Sequence, residues 1–249
     1  MKKNTLSLGL LALCVSFTSQ ADTLLGLYAG AQAWNMETSG GFSNDGSNTE
    51  FNFEKQTNTN LYVAFEHPIP LIPNVKVQRT AMDTQGDVIL DAQFTLGDKV
   101  FAANGNAFTD VSLTTTDFIL YYELFDNDLV SFDVGLNAKH IDGEFLATVD
   151  GETGREEFSG PVPMVYSRLA VGVPFTGFGA FVEGSFLSID DHTISDYQAA
   201  ITYSLMGNLA IDLTLHLGYR AVTLDLDDLD DIYSDLEFKG IYAGLEVHF

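Results

Sequence analysis

The sequence predicts an all-β chain closed into an antiparallel, up-and-down transmembrane β-barrel. Three observations lead there. Apolar and polar residues alternate with a period of two along most of the chain, as in strands with one greasy face. Beyond the N-terminal segment, no apolar run reaches the ~18 residues a membrane helix needs, and closure is the other way to satisfy every backbone group in lipid. The connections between runs alternate between short and long, which is the habit of membrane barrels.

Residues 1–21 stand apart. Lys2 and Lys3 precede an apolar stretch from Leu6 to Phe17, and Ser19-Gln20-Ala21 supplies small residues before a cut at Asp22. This is the pattern of a cleaved secretory signal, leaving 22–249 as one barrel domain. Cys14 is the only cysteine and leaves with the signal. Bulky Leu13 before it argues against lipid modification. An exported chain without cysteine draws its stability from a closed hydrogen-bonded network or a large core.

Ten alternating runs follow. Leu25, Leu27, Ala29, Ala31 and Ala33 share a face, as do Leu61, Val63 and Phe65. The run 75–82 is the weakest, with Val77 and Lys76 setting its faces. Phe118, Leu120, Tyr122 and Leu124 oppose Asp117, Ile119, Tyr121 and Glu123. Runs at 130–139, 165–173, 180–186 and 197–205 repeat the pattern. In the last two, Leu213, Leu215 and Leu217 oppose Asp212, Thr214 and His216, and Ile241, Ala243 and Leu245 oppose Tyr242, Gly244 and Glu246. Eight strands is the alternative, with 75–117 an external excursion.

Tight turns are expected at 68–74, 126–128, 174–177 and 206–208, where Pro, Gly, Asn and Asp supply the geometry. Long polar loops are expected at about 35–57, 84–110, 149–157, 190–195 and 225–233. Tyr197, Tyr203, Tyr219, Tyr233, Phe125 and Phe249 are the expected interfacial girdles. A soluble sandwich also alternates, but its core would reject the ionisable groups that share the second face.

Without the signal, 9 basic residues face 35 acidic ones. Such a chain excludes nucleic acid as a partner. It meets anionic lipid and lipopolysaccharide only where divalent cations bridge the two.

The C-terminus, Tyr242-Ala243-Gly244-Leu245-Glu246-Val247-His248-Phe249, resembles the signal read by the outer-membrane barrel-assembly machinery, carried here by Tyr242, Gly244, Val247 and Phe249. The run Leu25-Gly26-Leu27-Tyr28-Ala29-Gly30-Ala31-Gln32-Ala33-Trp34-Asn35-Met36 with Gly40-Gly41 resembles a Gram-negative outer-membrane protein family named for a Gly-Gly motif. The resemblance implies an outer-membrane barrel and carries over no activity and no catalytic residue.

Alternation directs Glu66, Glu123, Asp133, Lys139, Arg168, Glu183, Asp212, His216, Arg220, Glu246 and His248 into one lumen. A barrel this narrow is expected to fill that lumen with ion pairs, giving a structural or weakly conducting protein. A porin or transporter for small solutes or apolar molecules is the alternative. The acidic run 225–231 reads as a solvated loop, and calcium binding is the sharper alternative, although the EF-hand order is missing. Asp190-Asp191-His192 is the sole hint of a rim hydrolase. His67 and His140 lack metal-ligand spacing. No enzyme activity, catalytic residue, metal or cofactor is expected.

Overall fold

The computed structural model describes residues 25–46, 49–127, 129–189, 192–207, 211–229 and 232–249. The signal segment 1–21 lies outside the described residues. Ten strands form the wall: β1 (Gly26–Ser39), β2 (Gln56–Glu66), β3 (Asn74–Ala81), β4 (Asn106–Asp126), β5 (Val130–Val149), β6 (Glu152–Gly172), β7 (Phe178–Ile189), β8 (His192–Gly207), β9 (Asp212–Leu229) and β10 (Ile232–His248). Each pairs antiparallel with its sequence neighbour, and β10 returns to β1 with Tyr28 opposite His248 and Ser39 opposite Glu237. The ring is closed. The weak run 75–82 is a wall strand, which decides for ten strands over eight.

The outward residues are exposed and apolar near the end carrying the tight turns. Leu136 is 67% exposed and Leu120, Val165, Ile201, Leu217 and Ile241 are similarly bare. A monomer in water would not display such a continuous belt, and lipid is its natural solvent.

The strands outrun that belt. A 21-residue strand such as β4, rising about 3.3 Å per residue at a tilt near 40°, climbs about 50 Å, twice a membrane's apolar band of about 25 Å. Halfway along, the chemistry of the two faces exchanges while the register holds. On β5, Leu136 and Ala138 face out and Asn137 and Lys139 face in; further on, Asp142 and Glu144 are on the outward face and Ile141, Phe145 and Ala147 are buried inside. On β9, outward Leu217 and Tyr219 give way to Thr223 and Asp225, while inward His216 and Arg220 give way to Val222, Leu224 and Leu226. The outside medium changes from lipid to water, so the inside changes from polar to greasy.

Three expected loops are therefore corrected. Segment 149–157 is a two-residue hairpin, Asp150-Gly151, with φ of 51° and 84°, and Val149 already pairs with Glu152. Two positive φ values match the twist of a hairpin. Thr193 pairs with Ser188 and with Asp225, and the β9–β10 ladder reaches Leu229 and Ile232. Tyr233, expected in a girdle, stands on the projecting half, opposite Ser43.

The segments 40–46, 49–55 and 84–105 fold over and into this projecting half. Thr84–Ile89 extends the wall along β4, and the hairpin Phe94–Leu96 with Lys99–Phe101 tucks inside. Asn58 closes the seam beside it: its side chain donates to the Asp83 carbonyl at 2.9 Å and accepts from the Asp83 N–H at 3.2 Å. β7 is short, so β6 pairs with it only from Val165 to Gly172. Among the described residues, the farther part of β6 has one wall neighbour, β5, and Pro161 and Pro163 lie on it.

Candidate functional site: a layered, closed lumen

The interior has three storeys. The first is a polar chamber of about 180 Å³ at the tight-turn end. Glu66, Glu123, Asp133, Arg168, Glu183, His216 and Glu246 all line it. Four tyrosines join them. Tyr62 donates to Glu246 at 2.6 Å, Tyr121 to Glu66 at 2.7 Å and Tyr166 to Glu183 at 3.3 Å, while Tyr28 stacks on His248 at 4.2 Å. Asp212 stands apart at the rim, where its Oδ2 is 3.6 Å from His248 Nδ1. Glu123 keeps its inward aim across an irregularity in the β4–β5 ladder, where Phe132 faces Phe125 and Asp133 faces Glu123.

The chamber's roof is Lys76, whose Nζ lies 2.6 Å from Glu183, with Gln198 donating to the same Glu183 oxygen at 2.8 Å and Gln32 donating to Gln198 at 3.3 Å. Arg168 spans Glu183 and Asp133 at 3.5 and 3.7 Å.

The second storey is a buried ion network. Lys139 Nζ is 2.7 Å from Asp117 and 3.0 Å from Asp196. Arg220 grips both oxygens of Asp196, from Nε at 2.9 Å and Nη2 at 2.7 Å, and donates to Thr80 at 3.1 Å. Its guanidinium lies over the Trp34 ring at 5.3 Å. Asn137 donates to Asp117 at 2.6 Å and to Ser185 at 3.0 Å. Lys139 and Arg220 are each 1% exposed. Charges this dry persist because each meets an opposite charge at hydrogen-bond distance.

The third storey is apolar. Trp34, Met36, Phe42, Phe94, Phe101, Phe145, Leu224, Leu236 and Phe238 form one buried cluster, with Phe42 stacked on Phe145 at 4.2 Å. The expectation of a uniformly polar lumen is corrected here, because the projecting half packs like a soluble protein core.

Sequence reasoning missed three charged partners of the interior, Lys76 in the roof and Asp117 and Asp196 in the ion network. Lys76 and Asp117 were on the inward face but unmatched to a counter-charge. Asp196 sits one residue before the run that begins at Tyr197, and extending that alternation backwards would have found it.

The exposed rim is different. Lys55 beside Glu37 holds that carboxyl below the usual carboxylate range, through a hydrogen bond first and charge second. Glu237 raises the Lys239 ammonium in the same way. Of the 225–231 run, Asp230 and Asp231 lie outside the described residues; among the described residues no group of three or more His, Cys, Asp or Glu could hold a metal ion. Asp225 pairs within the β9–β10 ladder, and Asp227 donates its N–H to His192 Nδ1 at 3.2 Å. Asp190 and Asp191 lie outside the described residues.

Fold and strand closure together define a membrane-spanning β-barrel. Comparison with protein-family models finds no match, and neither does comparison with curated proteins. Among solved structures, the chain is similar to the transport unit of the autotransporter AIDA-I from Escherichia coli, at 9% identity and a TM-score of 0.43, over 95% of this chain and 93% of that one. It is also similar to the translocator domain of the autotransporter NalP from Neisseria meningitidis (11%, 0.43, 90% and 88%). A third is Ail, the attachment invasion locus protein of Yersinia pestis (13%, 0.35, 90% and 97%). The fold assignment rests on this chain's own strand pairing.

Proposed function

We propose that the protein is an outer-membrane barrel that does not conduct, and that it serves as a rigid scaffold carrying a packed, acidic domain to the cell surface. One observation carries this reading: two successive seals, the buried Lys139–Asp196–Arg220 network and the apolar cluster around Phe145, occupy the path of any solute. The tight turns and both strand ends at the barrel closure then face the periplasm. Among the described residues, the Lys139 network and the apolar cluster around Phe145 interrupt the polar path that the porin reading needs.

The acidic outer face favours divalent bridging to lipopolysaccharide phosphates. Recognition by the assembly machinery is supported by the last strand's role in closure: Phe249 donates to the Leu27 carbonyl at 2.9 Å, and Phe249 and Val247 stay on the lipid side while Tyr242 and Gly244 face in. We propose kinship with a Gly-Gly family, and what supports it is a local need for glycine at both positions. Gly40 has φ +98°, and a Cβ on Gly41 would meet the Thr49 carbonyl oxygen at 1.8 Å. Gly41 also donates to Asp235 Oδ1 at 2.6 Å, tying the first outer segment to β10.

Planar-bilayer recording tests the proposal. Inserted protein is expected to give a silent baseline. Sustained, discrete, cation-selective steps from the unaltered chain would overturn it.

A further inference from the structure

The sealed lumen leaves the chamber at the tight-turn end as a blind vestibule, and its chemistry is one-sided. Six carboxylates line it against two cations, Lys76 and Arg168. Both cations are already engaged at Glu183. Glu66 and Glu246 each accept a hydrogen bond from a tyrosine, a donor that brings no counter-charge. Asp133 is the telling residue. It is 3% exposed, lines the chamber, and its Oδ1 has no hydrogen-bond partner; its nearest cation, Arg168, stays at 3.7 Å. A buried carboxylate without a hydrogen bond is costly, and a positively charged donor in the chamber would relieve that cost.

The chamber already shows how it holds such a group. The Lys76 ammonium lies 4.8 Å above the Tyr62 ring and 2.6 Å from Glu183, bound by an aromatic face and a carboxylate together. The other acids and tyrosines of the chamber repeat those two elements. They are spread around the chamber, and among the described residues no three of them converge tightly enough for a bare metal ion. Carboxylates spaced around aromatic faces suit an extended organic cation better than a small inorganic one. A cavity of about 180 Å³ holds several water molecules at about 30 Å³ each, and so a short diamine in their place.

We propose that this vestibule binds a small organic amine, entering from the tight-turn end, with Asp133 and Glu66 as its charge partners and a tyrosine face beneath it.

The test is titration calorimetry of 1,4-diaminobutane into the full mature chain folded in detergent. Folding of every variant is checked by the gel shift that boiling gives to a closed barrel. One-site saturation is expected, weakened about tenfold by Asp133→Asn or by Glu66→Gln, as loss of a charge-assisted contact predicts. Asp142→Asn, on the outer face of β5, is expected to leave it unchanged. Glu66→Gln carries the test alone if Asp133→Asn fails to close. Absence of saturation with the unaltered barrel, equal weakening by Asp142→Asn, or displacement of the diamine by an equal concentration of magnesium would overturn the proposal. Conductance plays no part in this measurement, so its outcome is independent of the scaffold reading.

Discussion

Arg220 and Asp196 meet as a two-pronged pair between β8 and β9, with Nε and Nη2 2.9 and 2.7 Å from the two carboxylate oxygens. Asp196 also takes Lys139 at 3.0 Å. One acid thus compensates two buried cations, and the middle seal depends on it.

Asp196→Asn should therefore be among the most damaging single changes. It leaves Lys139 with Asp117 alone and Arg220 with no carboxylate, at a cost of about 3–5 kcal/mol for a dry pair. Denaturant titration of the detergent-folded barrel should show the midpoint fall accordingly; an unmoved midpoint would mean that water fills this storey.

Glu37 provides the contrast. Lys55 lowers its pKa, so any contribution of the pair is present above the ordinary carboxylate range and fades as pH falls through that lowered value. Both side chains are well exposed and salt screens them. Glu37→Gln is expected to leave the thermal midpoint unchanged at neutral pH and at pH 3 alike, in scans run side by side with the parent.

The exchange of faces along a strand makes a positional prediction. Leu136→Arg or Ile201→Arg puts a charge into lipid and should cost about 2–4 kcal/mol near mid-membrane. His140→Arg and Asp142→Arg, on the outward face of the same strand as Leu136, should assemble normally. Membrane-fraction yield distinguishes the two groups, and equal yields would place the lipid boundary elsewhere.

Phe145→Ala removes the ring on which Phe42 stacks, at a cost of about 3–5 kcal/mol. The projecting half should loosen first. Limited proteolysis is expected to cut within 84–105 while the belt remains protected, whereas simultaneous loss of both regions would show one cooperative unit.

Gly41→Ala forces a Cβ against the Thr49 carbonyl oxygen. The contact between residues 40–41 and 49–50 must open, so the amides of 40–46 should exchange with deuterium faster than in the parent while those of β5 do not.

The membrane half was legible from residues alone. Leu61, Leu120, Leu217 and Ile241 were assigned to the lipid face by alternation and are found there. The projecting half was obscured by the same rule. Runs such as Asp225-Leu226-Asp227 alternate correctly, but with the polar set outside, and a reader expecting lipid takes them for loop. The seals were harder still. Lys139 and Arg220 could be directed inward, yet their sharing of Asp196 is a relationship between three strands that periodicity does not encode. The aromatic packing of Phe42, Phe94 and Phe145 depends on segments between wall strands, whose path only the folded chain reveals.

The outer stretch of β6, paired with β5 on one edge only among the described residues, bears on how these molecules live side by side. A strand with an open edge invites a stranger to lengthen the sheet. Pro161 and Pro163 bring no amide hydrogen to such a match, so crowded copies at a bacterial surface find poor footing there for stitching themselves into fibres.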